Sequence, residues 1–225
     1  QSRPALRDVA AVAHAHGLPV LVDAAAQLPP ACNLQRFLKD GADLVCFSGG
    51  KAIGGPQASG ILAGRADLVA SALVQMLDMD VYDDMWAPPA EFAALAQLRG
   101  LPHHGIGRSC KVGKEEIAGL CVALRRFAAE DPAARRARWQ AVLAEIVRAA
   151  GLDGLRIESG PVPLLALDCG SEAAAVALAR RLAAGEPSIA CAPGRREQGV
   201  LVFNPLALNE DEARIIGARL KELVA

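Results

Sequence analysis

Apolar residues in the first part of the chain follow two alternating patterns. Residues 4–16 carry apolar positions at helical spacing and end at Gly17, which predicts an amphipathic helix. Two continuous apolar runs, 18–24 and 43–48, are typical of strands that are buried on both faces of a sheet. Between them, residues 33–41 predict a short helix. A strand, a helix and a strand with short connections form a βαβ unit, so we expect the two strands to pair in parallel.

The next segment departs from this regular alternation. A glycine-rich loop leads into a third predicted strand over 58–64, and a helix follows over 65–77. Residues 78–111 then combine Asp, Pro, Gly and His, with only a short helical piece among them. Long irregular segments inside a domain are usually functional or oligomeric. We therefore expect this segment to contribute to a site or to a subunit contact.

Helical periodicity returns near residue 111 and leads into a second domain. One strong helix is predicted over 111–131, and another begins at Pro132 and ends at Gly151. The apolar positions of the first of these helices are 117, 120, 121, 124 and 127. The rest predicts strands at 155–160, 163–168, 188–192 and 199–204, with helices at 171–184 and 209–223. The pattern is that of an α/β protein with a mostly parallel sheet in domain 1–131 and a small α+β domain in 132–225.

The bulk composition fits a protein with a sizeable core and no strong electrostatic preference. The 225 residues are 52% hydrophobic and 22% charged, with a net charge of −1. A near-neutral net charge does not indicate the basic surface that binds the phosphates of a nucleic-acid backbone. A tRNA partner is therefore possible but not favoured. No apolar run approaches the roughly 20 residues that span a bilayer, and no secretion signal opens the chain, so we expect a cytoplasmic protein without membrane contact. The six cysteines contain no CxxC pair and are interpreted as buried free thiols.

Polar side chains mark the ends of the first two predicted strands. The run "VLVD" ends in Asp23, "LVCFS" ends in Ser48, and Lys51 follows within "SGGKAIGG". Because ligands of open α/β sheets bind beyond the carboxyl ends of the strands, we expect these three side chains to meet at one rim. A strand-end carboxylate, a hydroxyl and a lysine between glycines suit pyridoxal phosphate (PLP), whose aldehyde reacts with a lysine amine.

The spacing alone leaves other interpretations open. A strand-end Asp is commonly a turn residue, and a lysine in a glycine loop is commonly exposed to solvent. A phosphate-binding P-loop does not fit, because the pattern G-x-x-x-x-G-K-[ST] needs Gly at 45 and Ser or Thr at 52, where the chain has Val45 and Ala52. The segment "GIGRSC" (105–110) matches only part of a dinucleotide fingerprint and follows no predicted strand.

Three segments resemble the fold-type I PLP enzymes. They are "VDAAAQLPP" (22–30), "GADLVCFSGGKAIGGPQASGIL" (41–62) and "HGIGRSCKVGKEEI" (104–117). Within that class the chain is similar to the group of bacterial selenocysteine synthase (L-seryl-tRNA selenium transferase) and D-glucosaminate-6-phosphate ammonia-lyase. The resemblance implies the C-terminal part of a large PLP-binding domain, followed by a small α+β domain.

The resemblance also implies a role for each residue at the strand ends. Lys51 would form the Schiff base with PLP and then carry the substrate proton. Asp23 would bind the pyridine nitrogen, and Ser48 would bind the cofactor phosphate. Ala25 would pack against one face of the ring, and Gln27 would reach the ring hydroxyl.

The irregular segment offers a second group of candidate residues. The loop "HHGIGRSCK" carries His104, Arg108 and Lys111, which would bind an anionic substrate or complete a neighbouring subunit's site in a homo-oligomer. Charges that simply face water are an equally open interpretation, and a metal site is disfavoured because no third ligand accompanies the two histidines. Relatives of this group often carry an arginine where this chain has "ACAP", so Arg195 and Arg196 are candidates for holding a substrate carboxylate.

We expect an enzyme that removes the Cα proton of a small amino-acid or amino-sugar phosphate substrate and eliminates at Cβ, as an ammonia-lyase or a selenium transferase would. The alternatives are a PLP-dependent aminotransferase and an inert, truncated domain that only oligomerises. The last alternative arises because the N-terminal half of the group, with its phosphate-binding loop and ring-stacking side chain, has no counterpart in this sequence. Either the chain is a piece of a longer protein, or another chain supplies that half.

Overall fold

Two units make up the chain, Gln1–Ala129 (unit 1) and Glu130–Ala225 (unit 2). The computed structural model describes residues 4–80, 82–97, 100, 103–192 and 194–224. In chain order, the helices and strands of unit 1 are α1 (Leu6–Ala15), β1 (Leu21–Asp23), α2 (Asn33–Lys39), β2 (Leu44–Ser48), β3 (Gly60–Gly64), α3 (Ala66–Gln75) and α4 (Lys114–Ala129). Short 3-10 helices at Asp83–Met85, Ala90–Gln97 and Ile106–Cys110 lie in the segment predicted to be irregular.

Strand β2 forms the centre of the sheet in unit 1. β1 pairs with it in parallel, with Val22 opposite Val45, which confirms the predicted βαβ unit around α2. β3 runs antiparallel to β2, a direction that the predicted mostly parallel sheet did not include. The loop between them is closed by a hydrogen bond from Gly49 N to Ser59 O at 2.9 Å. Such a loop is too short for the helical crossover that a parallel partner requires.

Helices cover one face of this sheet within the described part of unit 1. Val45 and Phe47 of β2 are buried on that face and pack with Phe127 of α4. Successive side chains of a strand point to opposite faces, and on the other face Leu21 is 62% exposed and Leu62 is 39% exposed. The expectation that the run 18–24 is buried on both faces is therefore wrong, because α2 and α4 contribute their apolar side chains to the Val45 face.

A carboxylate at the start of β2 ties the helices of unit 1 to the sheet. Asp43 Oδ2 accepts hydrogen bonds from Val20 N at 2.7 Å and from His14 Nε2 at 2.8 Å, and Arg65 Nη1 donates to its Oδ1 at 3.1 Å. The backbone N–H of Val20, followed by His14, lowers the pKa of Asp43 from 3.8 to about 2. Asp43 therefore stays ionised and connects the end of α1 and the start of α3 to the sheet.

Unit 2 is built from three helices around an antiparallel sheet within its described residues. Its elements are α5 (Pro132–Ala150), β4 (Leu155–Glu158), β5 (Leu164–Asp168), α6 (Glu172–Ala183), β6 (Val200–Phe203) and α7 (Glu210–Val224), with 3-10 helices at Arg196–Gln198 and Pro205–Ala207. The strand order is β4-β5-β6. The strand predicted over 188–192 is wrong: it is reduced to one isolated bridge between Ala192 and Val202. Only Ala192 bonds to β6 there, because the chain then turns into the 3-10 helix Arg196–Gln198.

The boundaries of α5 follow the capping residues read from the sequence. Asp131 is the N-cap, and its side chain accepts from the N–H groups of Ala133 and Ala134 at 3.2 Å. Pro132 occupies the first turn and Gly151 closes the helix with φ of 58°, in the left-handed region that favours glycine. Among the described residues, the helices lack the length and apolar character that crossing a bilayer would require.

Candidate active site

The carboxyl ends of β1 and β2 bring two predicted site residues to one face of the sheet. Asp23 is the Cα partner of Cys46, so their side chains point to the same face. Ser48 lies two residues beyond Cys46 on β2 and shares that face. Strand spacing and rise put the Cα atoms of Asp23 and Ser48 on the order of 8 Å apart. This face is the one that the core of unit 1 leaves open, so a ligand can reach both side chains.

Asp23 is held by a short turn but keeps one oxygen available. Its Oδ1 accepts from Ala25 N at 2.9 Å, and the thiol of Cys46 lies 3.8 Å from the same oxygen. Ala24 N donates to Cys46 O at 2.9 Å, which continues the strand pairing past Asp23. Within the described residues, Oδ2 has no hydrogen-bond partner. Asp23 is therefore a turn residue, as the alternative interpretation proposed. Its carboxylate is also held in place, so that Oδ2 can accept a hydrogen bond from a ligand.

Ala25 and Gln27 follow in the same turn. Ala25 is half-buried and Gln27 is exposed. The backbone of Gln27 is fixed at both ends, because its N–H donates to Ala24 O at 3.0 Å and its carbonyl accepts from Asn33 Nδ2 at 2.6 Å. The two residues thus belong to a rigid turn beside Asp23.

Lys51 lies in a closed loop whose backbone hydrogen bonds are satisfied internally. Gly55 N donates to Gly49 O at 2.8 Å, and Gly54 N donates to Lys51 O at 2.9 Å. The side chain of Lys51 is exposed, and in the part of the chain that the structure describes its ammonium has neither a hydrogen-bond nor an ion-pair partner. A lysine that is carried by a rigid backbone and engages no carboxylate is free to react with a ligand.

Two glycines show why this loop excludes side chains around Lys51. A Cβ added to Gly50 would lie 2.6 Å from Gln57 Cα, a backbone atom that cannot move aside easily. Gly54 has φ of 73°, a conformation that other residues rarely adopt. The glycines therefore allow the backbone of the loop to pack closely next to Lys51.

The three cationic residues predicted for substrate binding converge on one carboxylate. Asp78 Oδ1 accepts a hydrogen bond from His104 Nδ1 at 3.1 Å, and Asp78 Oδ2 accepts one from Lys111 Nζ at 2.9 Å. Arg108 forms an ion pair with Asp78, with its Nε 2.6 Å from Oδ1. Only 14% of the Asp78 side chain is exposed, whereas the side chains of His104, Arg108 and Lys111 are between 45% and 70% exposed. We call these four residues the Asp78 cluster.

The Asp78 cluster retains unused positive charge and unused donors. The Lys111 ammonium, with His104 and Arg108, lowers the pKa of the Asp78 carboxyl, so Asp78 is ionised and neutralises one of the cations. His104 and Lys111 each donate one hydrogen bond to Asp78, and Arg108 pairs with it through charge. The guanidinium fork of Arg108 and the ammonium of Lys111 have further donors. The arrangement can bind an oxyanion from the solvent side while Asp78 keeps the three side chains together.

Sequence reasoning missed Asp78 and Cys46 and misjudged Arg195. Alternation along β2 would have placed Cys46 beside Asp23, whereas no local signal distinguishes Asp78 from the other acidic residues of its segment. Arg195 is engaged by Glu158 through two hydrogen bonds of 2.6 and 2.9 Å. This contact lowers the pKa of Glu158 to about 2. Arg196, in contrast to Arg195, has no hydrogen-bond or ion-pair partner among the described residues.

The donor set at the strand ends fits PLP rather than a metal. Among the described residues, no group of three or more His, Cys, Asp and Glu side chains could hold a metal ion. A reactive amine on Lys51, a spare carboxylate oxygen on Asp23 and a hydroxyl on Ser48 match the aldehyde, the pyridine nitrogen and the phosphate of PLP.

Comparisons with known proteins point to the same group. Residues 2–80 match the family model of SelA, L-seryl-tRNA selenium transferase. The chain is 32% identical to a 5′-C-glycyluridine monooxygenase-decarboxylase from a Streptomyces species, over 97% of this chain and 49% of that protein. It is 30% identical to the D-glucosaminate-6-phosphate ammonia lyase of Salmonella typhimurium, over 96% of this chain and 52% of that protein.

The fold agrees with a solved structure of the same kind. The structure of a D-glucosaminate-6-phosphate ammonia-lyase superposes with a TM-score of 0.64 and 26% identity, covering 99% of this chain and 53% of that one. The resemblance inferred from the sequence is thereby confirmed, and so is the fold class. The chain spans about half the length of the curated relatives it matches.

Proposed function

We propose that this chain carries the lysine-bearing part of a PLP-dependent enzyme that deprotonates an amino-group substrate at Cα and eliminates at Cβ. The observation that carries the proposal is the position of Lys51, whose ammonium has no partner among the described residues. It lies in a glycine loop directly after a strand whose open face presents Ser48 and, on its parallel neighbour, Asp23. When bound, PLP supplies an electron-withdrawing ring that stabilises negative charge at Cα.

Five residues of this chain would hold the cofactor. Asp23 Oδ2 would accept a hydrogen bond from the protonated pyridine nitrogen, while Oδ1 remains fixed by Ala25 N. Ser48 would donate its hydroxyl to the phosphate, and the small side chain of Ala25 would leave room for the ring. Gln27, on its rigid turn, would donate to the ring hydroxyl. The amine of Lys51 would bind the cofactor aldehyde and would afterwards accept the proton from Cα.

The Asp78 cluster would bind the anionic part of the substrate. Arg108 and Lys111 offer donors to a phosphate or a carboxylate, and Asp78 orients both. The ammonia-lyase relatives are named for D-glucosaminate 6-phosphate, which carries both of these anions. We favour such a sugar phosphate over tRNA because the net charge of −1 provides no broad basic surface. A homo-oligomer remains our proposal for the assembled enzyme.

The assignment of Lys51 is tested by reductive trapping. The chain is incubated with PLP, reduced with borohydride and digested, and the pyridoxyl group is located by peptide mass spectrometry. We expect the label on Lys51 and a visible absorbance band that the Lys51→Ala variant lacks. Lys39→Ala is the matched control, because Lys39 is an exposed lysine of unit 1 whose Nζ donates to Gln35 Oε1 at 3.2 Å. Undiminished labelling of Lys51→Ala, or labelling spread over surface lysines, contradicts the proposal.

Oxidative decarboxylation is a second candidate reaction, because the relative with 32% identity is named a monooxygenase-decarboxylase. Product analysis separates the two candidates. Elimination from D-glucosaminate 6-phosphate releases ammonia without oxygen uptake, whereas oxidative decarboxylation consumes oxygen and releases carbon dioxide. Transamination would transfer the amino group to a keto acid and release neither gas. A protein that binds no PLP under any of these conditions would support the inert-domain alternative.

A further inference from the structure

A cavity of about 350 Å³ lies in unit 2, within the size range of small-molecule sites. One wall is α6, and the opposite wall is formed by Ile189, Ala190, Cys191 and Arg196 together with Leu201 of β6. Its lining consists of Ala175, Val176, Ala179, Arg180, Ala183, Ile189, Ala190, Cys191, Arg196 and Leu201. None of these residues is assigned to the cofactor or to the Asp78 cluster.

The floor of this cavity is apolar and belongs to the core of unit 2. Ala175, Ile189 and Leu201 are members of that core and are almost completely buried. Alanines at 175, 179 and 183 repeat every fourth residue of α6, so their small side chains leave a depression along one side of the helix. A rigid apolar floor favours the apolar part of a ligand over water.

The rim of the cavity carries two arginines that lack partners. Every other arginine of unit 2 donates to a carboxylate or to a backbone carbonyl: Arg135, Arg136, Arg138, Arg148, Arg156, Arg181, Arg195, Arg214 and Arg219. Arg180 and Arg196 have neither kind of partner among the described residues, and both line this cavity. The presence of both of these arginines at one cavity distinguishes this cavity from the rest of the described unit 2 surface.

The electrostatics of the cavity favour an anion. Two guanidinium groups that share one rim repel each other unless a negative charge lies between them. No carboxylate is among the lining residues. Burial raises the pKa of the Cys191 thiol to about 11, so this side chain is uncharged at neutral pH and cannot neutralise the arginines.

We propose that this cavity binds a small amphiphilic oxyanion, with its phosphate or carboxylate head between Arg180 and Arg196 and its apolar body on the floor of α6 and β6. Arginine presents a planar fork of donors that matches either head group. The inference uses neither the cofactor residues nor the Asp78 cluster and requires no reaction. It places Arg196, a sequence-based candidate for a substrate carboxylate, at a separate cavity.

The binding is measured with three probes on the full chain: phenyl phosphate, benzoate and inorganic phosphate. Alanine-methyl NMR reports the location, because Ala175, Ala179 and Ala183 line the cavity. We expect phenyl phosphate to shift these methyl signals and to bind at least about tenfold more tightly than inorganic phosphate, since only the former fills the apolar floor. Benzoate tests whether a carboxylate head is accepted. Equal affinity for phenyl phosphate and inorganic phosphate would overturn the proposal, because the floor would then contribute nothing.

Substitutions separate this site from a general effect of basic charge. Arg180→Ala and Arg196→Ala should each weaken phenyl phosphate binding by about tenfold or more. Arg181→Ala is the control, because Arg181 is the next residue of α6 but its Nη1 donates to Leu223 O at 3.1 Å, and it should leave the affinity unchanged. Equal losses for all three variants would contradict the site.

A cavity-filling variant supplies a test that leaves both arginines in place. Ala179→Leu extends a side chain into the cavity and should abolish the methyl shifts caused by phenyl phosphate, while the thermal midpoint stays near that of the original chain. Because phenyl phosphate resembles PLP, the titration is repeated on the chain whose Lys51 has been coupled to PLP by borohydride reduction, after free PLP has been removed. Methyl shifts that no longer appear in that titration would assign the probe to the cofactor site and overturn the proposal.

Discussion

The two units of the chain differ in how completely they bury their apolar side chains. Among the described residues, the largest fully buried side chains lie in unit 2, with Val45 the exception. Exposed large apolar side chains show the opposite distribution, because only Ile157, Leu206, Ile215 and Val224 belong to unit 2 and the remainder belong to unit 1. Unit 2 is thus a closed core, whereas unit 1 leaves one face of its sheet open.

The open face of unit 1 is also the face of the candidate cofactor site. Asp23, Cys46 and Ser48 lie on it between the exposed Leu21 and Leu62. In unit 2, by contrast, α5 and α7 pack along the sheet and enclose Leu143, Ile146 and Leu220 in a core. Within the described residues, the candidate site thus lies on the exposed face of the unit 1 sheet, whereas the helices of unit 2 form one core with its sheet.

Core truncation should give the largest difference between the units. Leu143→Ala in unit 2 removes a side chain with no exposure and should lower the free energy of unfolding by about 2–5 kcal/mol, because a cavity remains. Leu62→Ala on the open face of unit 1 should change it by less than about 1 kcal/mol. Urea titration followed by circular dichroism measures both. A loss for Leu62→Ala as large as that for Leu143→Ala would show that the open face is covered in solution.

Acid should weaken both units through one carboxylate each. The pKa of Asp43 in unit 1 is lowered from 3.8 to about 2 and that of Glu158 in unit 2 from 4.5 to about 2. Each ionised group therefore stabilises its unit fully above the higher pKa, and this contribution is lost as the pH falls through about 2.

Residue-resolved hydrogen exchange between pH 5 and pH 2 can assign this acid dependence to each unit. Asp43→Asn should flatten the pH dependence of protection in unit 1, and Glu158→Gln should flatten it in unit 2. Each variant serves as the control for the other, because its own unit alone should respond. Identical profiles for both variants and the original chain would show that these contacts do not govern acid stability.

Thiol reactivity should distinguish the units with the smallest disturbance of structure. Cys32, Cys110 and Cys121 of unit 1 are exposed, which corrects the expectation of buried thiols. Burial raises the pKa values of Cys169 and Cys191 in unit 2, so fewer of these thiols are in the reactive thiolate form. Timed alkylation at pH 8 with mass spectrometry should label the three exposed cysteines of unit 1 before the two of unit 2. Early labelling of Cys191 would contradict the closed core of unit 2.

Local periodicity predicted the elements of the fold well where the pattern was long and uninterrupted. The strand β2 and the helices α5, α6 and α7 follow the predicted ranges closely, whereas β1 is limited to Leu21–Asp23 within the predicted run 18–24. The helix α4 shows the limit, because Ile117 and Cys121 belong to its predicted apolar stripe but are exposed, whereas Leu120, Leu124 and Phe127 pack against the core. Periodicity identifies a helix, but the neighbours available in space decide which of its apolar residues are buried.

The sequence by itself predicted which reactive side chains follow the first two strands. Asp23, Ser48 and Lys51 could be placed there because chain order and strand direction are local properties, and the glycines around Lys51 exclude other side chains. Only the tertiary structure decided that β3 runs antiparallel, that His104, Arg108 and Lys111 share Asp78, and that Arg180 and Arg196 remain unpaired. These outcomes depend on which hydrogen-bond donors and acceptors, distant in sequence, come into contact after the core has formed. The spacing of residues along the chain does not determine these contacts.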